Sequence, residues 1–217
     1  MILAALTDIH GDLGGLEAID ADLAAADLVL LTGDLTHFGR RAAAEEVVSA
    51  VRHLNQHVLA VPGNCDHAEV ADYLIEQGIN LHARHVVMDG IAFVGLGGSL
   101  PAPGQTPNEY DEQELEAFLV QAAKDLPADT PTVLVAHQPP YDTVADLARI
   151  GRHVGSHAVR RFIETYKPLV CFTGHIHEGH GMDTIGSTRI VNPGPFRDGG
   201  YAYAQIEGNQ VTVELCG

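Results

Sequence analysis

The sequence predicts an α/β fold, and three observations predict it. Short apolar runs rich in β-formers alternate with stretches of helical spacing, the pattern of a sheet with helices packed on it. Five of these runs, at 2–6, 28–31, 58–61, 133–136 and 169–172, end at or just before residues that can bind a metal: Asp8 and His10, Asp34, Asn64, His137, and His175 with His177. Near the end, segments 181–185, 188–191, 201–207 and 210–215 are separated by Gly186-Ser187 and Gly208-Asn209, which predicts antiparallel hairpins. Open α/β folds gather ligand groups outside the carboxyl ends of their strands, so the second observation also predicts where a site would form.

After the first strand, Asp12 is placed to cap a helix whose Leu13, Leu16, Ile19 and Leu23 recur at helical spacing, and the run 28–31 then closes a β-α-β unit. A second helix near 40–54 puts Val47, Val48, Val51 and Leu54 on one face, and a third from about 68 to 77 stops at Gly78. Residues 91–96 read as a buried strand, followed by a Pro- and Gly-rich loop from Gly97 through Asn108. Asp111 with Glu114 three residues on forms a capping box for a helix whose Leu115, Phe118, Leu119 and Ala122 follow the i, i+3, i+4, i+7 rule. After strand 132–136 comes a polar loop carrying Arg149, Arg152 and His153, then a helix with Ser156 as N-cap and Val159, Phe162, Ile163 and Tyr166 facing inward. Pro168 ends that helix before the strand 169–172.

With 217 residues, 46% of them hydrophobic, the chain is expected to fold as a single domain spanning 1–217. Its 29 acidic residues against 12 Lys plus Arg give a formal charge of -17, which argues against nucleic-acid binding because phosphate contacts need clustered cations. Cys65, Cys171 and Cys216 form neither a disulfide framework nor a Cys-x-x-Cys pair. No stretch approaches the roughly 18 apolar residues of a membrane span, and no leader is apparent before the first strand. A cytoplasmic protein with no membrane association is expected.

Taken singly, Asp8-x-His10, Gly33-Asp34 and Gly63-Asn64 read equally well as turns or helix entries. Together with His137 and Gly174-His175-x-His177, in this order and at these strand ends, they resemble the calcineurin-like metallophosphoesterases from residue 2 to about 207. The run Val191-Asn192-Pro193-Gly194-Pro195 resembles a small bacterial and archaeal phosphodiesterase branch of that superfamily. The resemblance implies a four-layer α/β/β/α sandwich, two packed mixed sheets flanked by helices. It also implies two divalent ions, one on Asp8, His10 and His177, the other on Asn64, His137 and His175, with Asp34 bridging both.

The residue types suit such a centre. A carboxylate can hold two cations at the roughly 3.5–4 Å separation of two-metal hydrolases. In Gly174-His175-Ile176-His177 the i, i+2 spacing would send both imidazoles to one side of an extended segment. Mixed N and O donors without thiolate admit manganese, the first choice, or iron, nickel or zinc. The implied activity is hydrolysis of small phosphoesters, diesters ahead of monoesters, through a hydroxide bridging the two ions; the alternative is a metal-binding, protein-interaction scaffold of the same fold with little turnover. Many relatives carry His where this chain has Cys65, and that His is linked to the leaving group. Asn64, Cys65 and His67 are therefore the candidate catalytic residues: the Cys65 thiol is either simply packed or a proton donor, and His67 is a candidate substitute for the imidazole. The expected partner is a small phosphoester, and relatives admit a homo-dimer or tetramer.

Overall fold

Strands that are apolar throughout need cover on both faces, and stacking two sheets between two helical layers supplies it. A computed structural model describes residues 1–127 and 129–217. The chain opens with β1 (Ile2–Leu6), α1 (Asp20–Ala25), β2 (Leu28–Thr32), α2 (Arg41–Leu54), β3 (Val58–Val61) and α3 (Ala68–Glu76). Next come β4 (Arg84–Met88), β5 (Ile91–Leu96), α4 (Glu112–Ala123), β6 (Thr132–Ala136) and the short pair β7 (Leu147–Ala148) and β8 (Arg152–His153). The chain continues through α5 (His157–Tyr166), β9 (Val170–Phe172), β10 (Gly181–Ile185) and β11 (Thr188–Asn192), and ends with β12 (Tyr201–Glu207) and β13 (Gln210–Cys216).

The first sheet has the order β13-β12-β1-β2-β3, with β1, β2 and β3 parallel and β12 antiparallel to β1. The second has the order β10-β11-β9-β6-β5-β4, parallel across its middle and antiparallel at both edges. Alternation along each strand sorts the core into three layers. Leu3, Ala5, Leu28, Leu30 and Val61 of the first sheet meet Phe93, Val133, Val135 and Phe172 of the second. Ala4, Leu6, Val29 and Leu31 face the other way, against Leu23, Val47, Val51 and Leu74 of the first helical layer. Leu96, Leu134 and Ala136 face Leu115, Leu119, Val159 and Ile163 of the second. The fold is the mixed α/β sandwich expected.

Four local expectations change. Asp12 caps no helix: its carboxylate accepts the Gly14 N–H at 3.0 Å, Gly14 and Gly15 interrupt the helical path, and a 3-10 turn at Leu16–Ile19 precedes α1. The apolar spacing still holds, with Leu16, Ile19 and Leu23 all buried. Tyr166 does not face inward; it is 43% exposed and stacks on Phe162. The polar loop after β6 contains a 3-10 turn at Val144–Asp146 and the β7-β8 hairpin. Strand β4 is additional to the expected strands: Asp89 and Gly90, both at positive φ (48° and 78°), make the two-residue turn that pairs Met88 with Ile91. The capping box at Asp111 and the Ser156 N-cap form as expected.

Candidate metal centre

Four of the seven expected ligands leave their strands on a backbone that ordinary residues avoid. Asp8 (φ 51°), His10 (49°), Asp34 (48°) and His175 (66°) all adopt the left-handed conformation, a strain that persists only where the surroundings over-determine it. Here the loops brace one another: Asp8 N donates to Gly33 O at 3.1 Å and His10 N to Asp34 O at 2.9 Å. Two glycines are required by close approach. A Cβ on Gly63 would lie 2.0 Å from the Asp34 carboxylate, and one on Gly174 would lie 1.9 Å from the Thr7 hydroxyl and 2.5 Å from the Asp8 carboxylate. The motif glycines thus let one strand's ligand pass beneath the next.

The seven expected ligand residues come together from both sheets. His177 Nε2 lies 3.2 Å from Asp8 Oδ1 and 3.5 Å from His10 Nε2. On the other side, His137 Nε2 lies 2.9 Å from Asn64 Oδ1. Asp34 stands between these groups, Oδ2 3.7 Å from His10 Nε2 and Oδ1 3.5 Å from His137 Nε2. The His175 ring lies edge-on to His137 with centroids 5.3 Å apart, and the His175 backbone N–H donates to Asp8 Oδ2 at 3.1 Å. The extended path expected for 175–177 is corrected: His175 is left-handed and His177 opens a 3-10 turn, so a kink rather than strand alternation directs the two rings.

Electrostatics set the protonation of this cluster. Burial alone would raise Asp8, but the His177 hydrogen bond, the nearby His137 and His177, and the Thr7 hydroxyl together hold it well below the usual carboxylate range. Asp34 is pushed up to about 7 by burial and by Asp8 and Asp66, against the pull of His137. Burial lowers His10 to about 4 and His175 to about 3, so both rings are neutral and have a lone pair to offer. His177 is raised, chiefly by its hydrogen bond to Asp8.

This donor set fits divalent cations. His137 Nδ1 lies 2.9 Å from the Thr32 carbonyl, which can only accept, so Nδ1 carries a proton and Nε2 is the ring nitrogen turned to the site. Nε2 of the same ring and the Asn64 side-chain oxygen lie 2.9 Å apart, so with the ring neutral the two atoms can serve one ion. Two buried carboxylates of the cluster, Asp8 and Asp34, add a demand for positive charge.

Cys65 is buried, and it packs beside the donor cluster. Its sulfur lies within 4.8 Å of donor atoms of both His10 and Asp34, its backbone N–H donates to Asp34 Oδ1 at 2.8 Å, and burial followed by Asp34 pushes the thiol far up. His67 stands at the N-cap position of α3, half-buried, and its side chain caps nothing. His180 is exposed against Gly194 beside His177, while His37 meets His10 edge-on. Tyr141 packs on His157 and Arg152 is exposed.

Three positioning residues escaped the sequence reading. Asp66 is buried and accepts from Gly63 N, Leu35 N, Thr36 N and the Thr36 hydroxyl, tying the loop after β2 to the loop after β3. Thr7 donates to Asp8 Oδ2 at 2.8 Å. Asn192, within the 191–195 run, donates to the Ile176 carbonyl at 2.9 Å and so holds the segment between His175 and His177. The available signal was a buried-type position next to a ligand, which composition alone does not reveal.

Comparison with known proteins gives a consistent result. A family model described as calcineurin-like phosphoesterase matches residues 1–179. An uncharacterized protein of Methanocaldococcus jannaschii is 39% identical over 201 residues, covering 90% of this chain and 88% of the relative. A probable cyclic nucleotide phosphodiesterase of Rhodopseudomonas palustris is 26% identical over 215 residues, 87% of this chain and 76% of its own length. In fold, a crystal structure from Thermus thermophilus superposes with a TM-score of 0.73 at 22% identity, covering 98% of this chain and 97% of the other.

Proposed function

Because the chain belongs to the calcineurin-like phosphoesterase family, we propose that it is a phosphodiesterase of small phosphoesters that works with two divalent ions. The observation that carries this reading is the placement of Asp34, whose two oxygens point to separate donor groups, His10 on one side and His137 with Asn64 on the other. Asp8, His10 and His177 would hold one ion, Asn64, His137 and His175 the second, and Asp34 both. Such ions supply Lewis-acid charge and lower the pKa of a water to about 7. The preference for diesters draws on the named activity of the R. palustris relative. The whole chain would act as one catalytic domain, with manganese the first metal to test.

The protein's own residues contribute orientation and charge. Thr32 fixes the His137 tautomer, Thr7 and His175 N–H fix the Asp8 carboxylate, and Cys65 N–H fixes that of Asp34. A preorganised set of this kind needs no rearrangement as charge develops on the phosphoryl oxygens.

The test is hydrolysis of paired aryl mono- and diesters by protein loaded with manganese, iron, nickel or zinc, with bound metal measured in parallel. Diester turnover above monoester turnover with at least one metal is expected. Asp34→Asn is expected to retain the circular dichroism of the parent and lose most activity, about 100-fold or more, the scale of removing one preorganised charge. Full activity in Asp34→Asn sinks the bridge, and protein that binds two ions yet cleaves neither ester supports a scaffold.

A further inference from the structure

Beside the centre lies a cleft of about 360 Å³, near the lower end of the roughly 300–1,000 Å³ range of small-molecule pockets. Leu100, Pro101 and Pro103 form one wall, and Ala148, Ile150 and Val154 of the β7-β8 hairpin form the other. His175, an expected ligand of the second ion, also lines the cleft.

The cleft is built, not incidental. Gln138, the residue after His137, is buried, and its side-chain oxygen accepts from Leu100 N at 2.9 Å while its nitrogen donates to Val154 O at 3.1 Å. One amide therefore ties both walls to the end of β6. The hairpin is held twice more: Glu178 accepts from Arg149 N at 2.8 Å, and buried Asp146 accepts from Thr143 N, Gly155 N and His153. With its walls fixed, the hairpin leaves Ile150 74% exposed and Val154 37% exposed, apolar surface held in the open beside a polar centre.

We infer that this cleft is a subsite for the organic group of the ester, selecting substrates in which the phosphorus bears an aromatic ring or a comparably sized hydrocarbon over those bearing a small polar or methyl group. The inference rests on the phosphodiesterase reading above, because a group lying in the cleft is joined to the centre through a phosphoryl bound beside His175. Arg149 and Glu178 also line the cleft, but most of its lining is apolar, so its occupant is apolar, and one ring matches the available volume.

The test uses the metal-loaded protein and two non-hydrolysable probes, methylphosphonate and phenylphosphonate, with affinities measured by titration calorimetry. Phenylphosphonate is expected to bind about tenfold more tightly, from the apolar area of one ring. Ile150→Asp and Val154→Asp, both at exposed positions outside the donor set, are expected to bring that ratio toward one and leave methylphosphonate affinity unchanged. Equal affinities in the parent, or a ratio that neither substitution moves, overturn the subsite while leaving the phosphodiesterase reading intact. Failure of both probes to bind, with metal present, overturns both. A dimer that dissociates in Ile150→Asp with the ratio unchanged makes the cleft wall a contact between copies and also overturns the subsite.

Discussion

Cys65 sits where the family resemblance leads one to expect imidazole, with its sulfur near His10 and Asp34. Burial and the Asp34 charge hold it as a neutral thiol, a weak acid poorly matched to neutral pH. Cys65→His should therefore raise kcat on diesters with poor alkyl leaving groups by about tenfold or more, with little change on activated aryl diesters, at a packing cost of about 1–3 kcal/mol. Steady-state kinetics on a leaving-group series decides it; equal gains on all esters would assign the imidazole another role. At this level the candidate donors were readable only jointly, because Asp8-x-His10, Gly33-Asp34 and Gly63-Asn64 each read equally well as turns until taken with His137 and Gly174-His175-x-His177. Their supports were not readable. Asp66, Thr7 and Gln138 act through hydrogen bonds to partners 1 to 38 positions away, and nothing local distinguishes such residues from solvated ones.

The elements that the sequence announced most clearly were those whose ends carry a chemical signal: the capping box of α4, the Ser156 cap of α5 and the Gly-linked hairpins. The β7-β8 hairpin carries none, because its strands are two residues each and its order comes from Asp146, buried at its base. His153 donates to Asp146 at 2.7 Å, with Asp142 at 3.8 Å and Arg160 reaching the same Asp142 from α5. The hydrogen bond to Asp146, then the charges of Asp146 and Asp142, raise the His153 pKa above its ordinary 6.5. A raised folded-state pKa means that the protonated ring stabilises the fold below 6.5 and that this contribution is lost as pH rises through the folded value. His153→Gln should accordingly melt below the parent at pH 5.5, with the gap closing by pH 8.5; a gap independent of pH in thermal melts would contradict the ion pair.

Across the whole molecule, the donor set is divided between the sheets: Asp8, His10, Asp34 and Asn64 follow strands of the first, His137, His175 and His177 strands of the second. Ions held there would join the two layers and bind only the folded chain. At 100 times the dissociation constant such binding adds about 2.7 kcal/mol, which for a chain of this size is a rise in Tm of about 5–10 °C. Calorimetry before and after chelation checks this, and an unchanged Tm would mean that the donors hold no ion. The pairing of the sheets was not readable from periodicity, since runs apolar on both faces do not say which sheet they join. The strand order has one more consequence, for the chain as it is made. Strand β1 lies inside its sheet, with β2 on one side and β12, beginning at Tyr201, on the other. At about 5–20 residues per second, the ribosome leaves one edge of β1 unpartnered for about 10–40 s. An open edge invites foreign strands, so the strand that delivers Asp8 and His10 is also the one most in need of chaperone cover during synthesis.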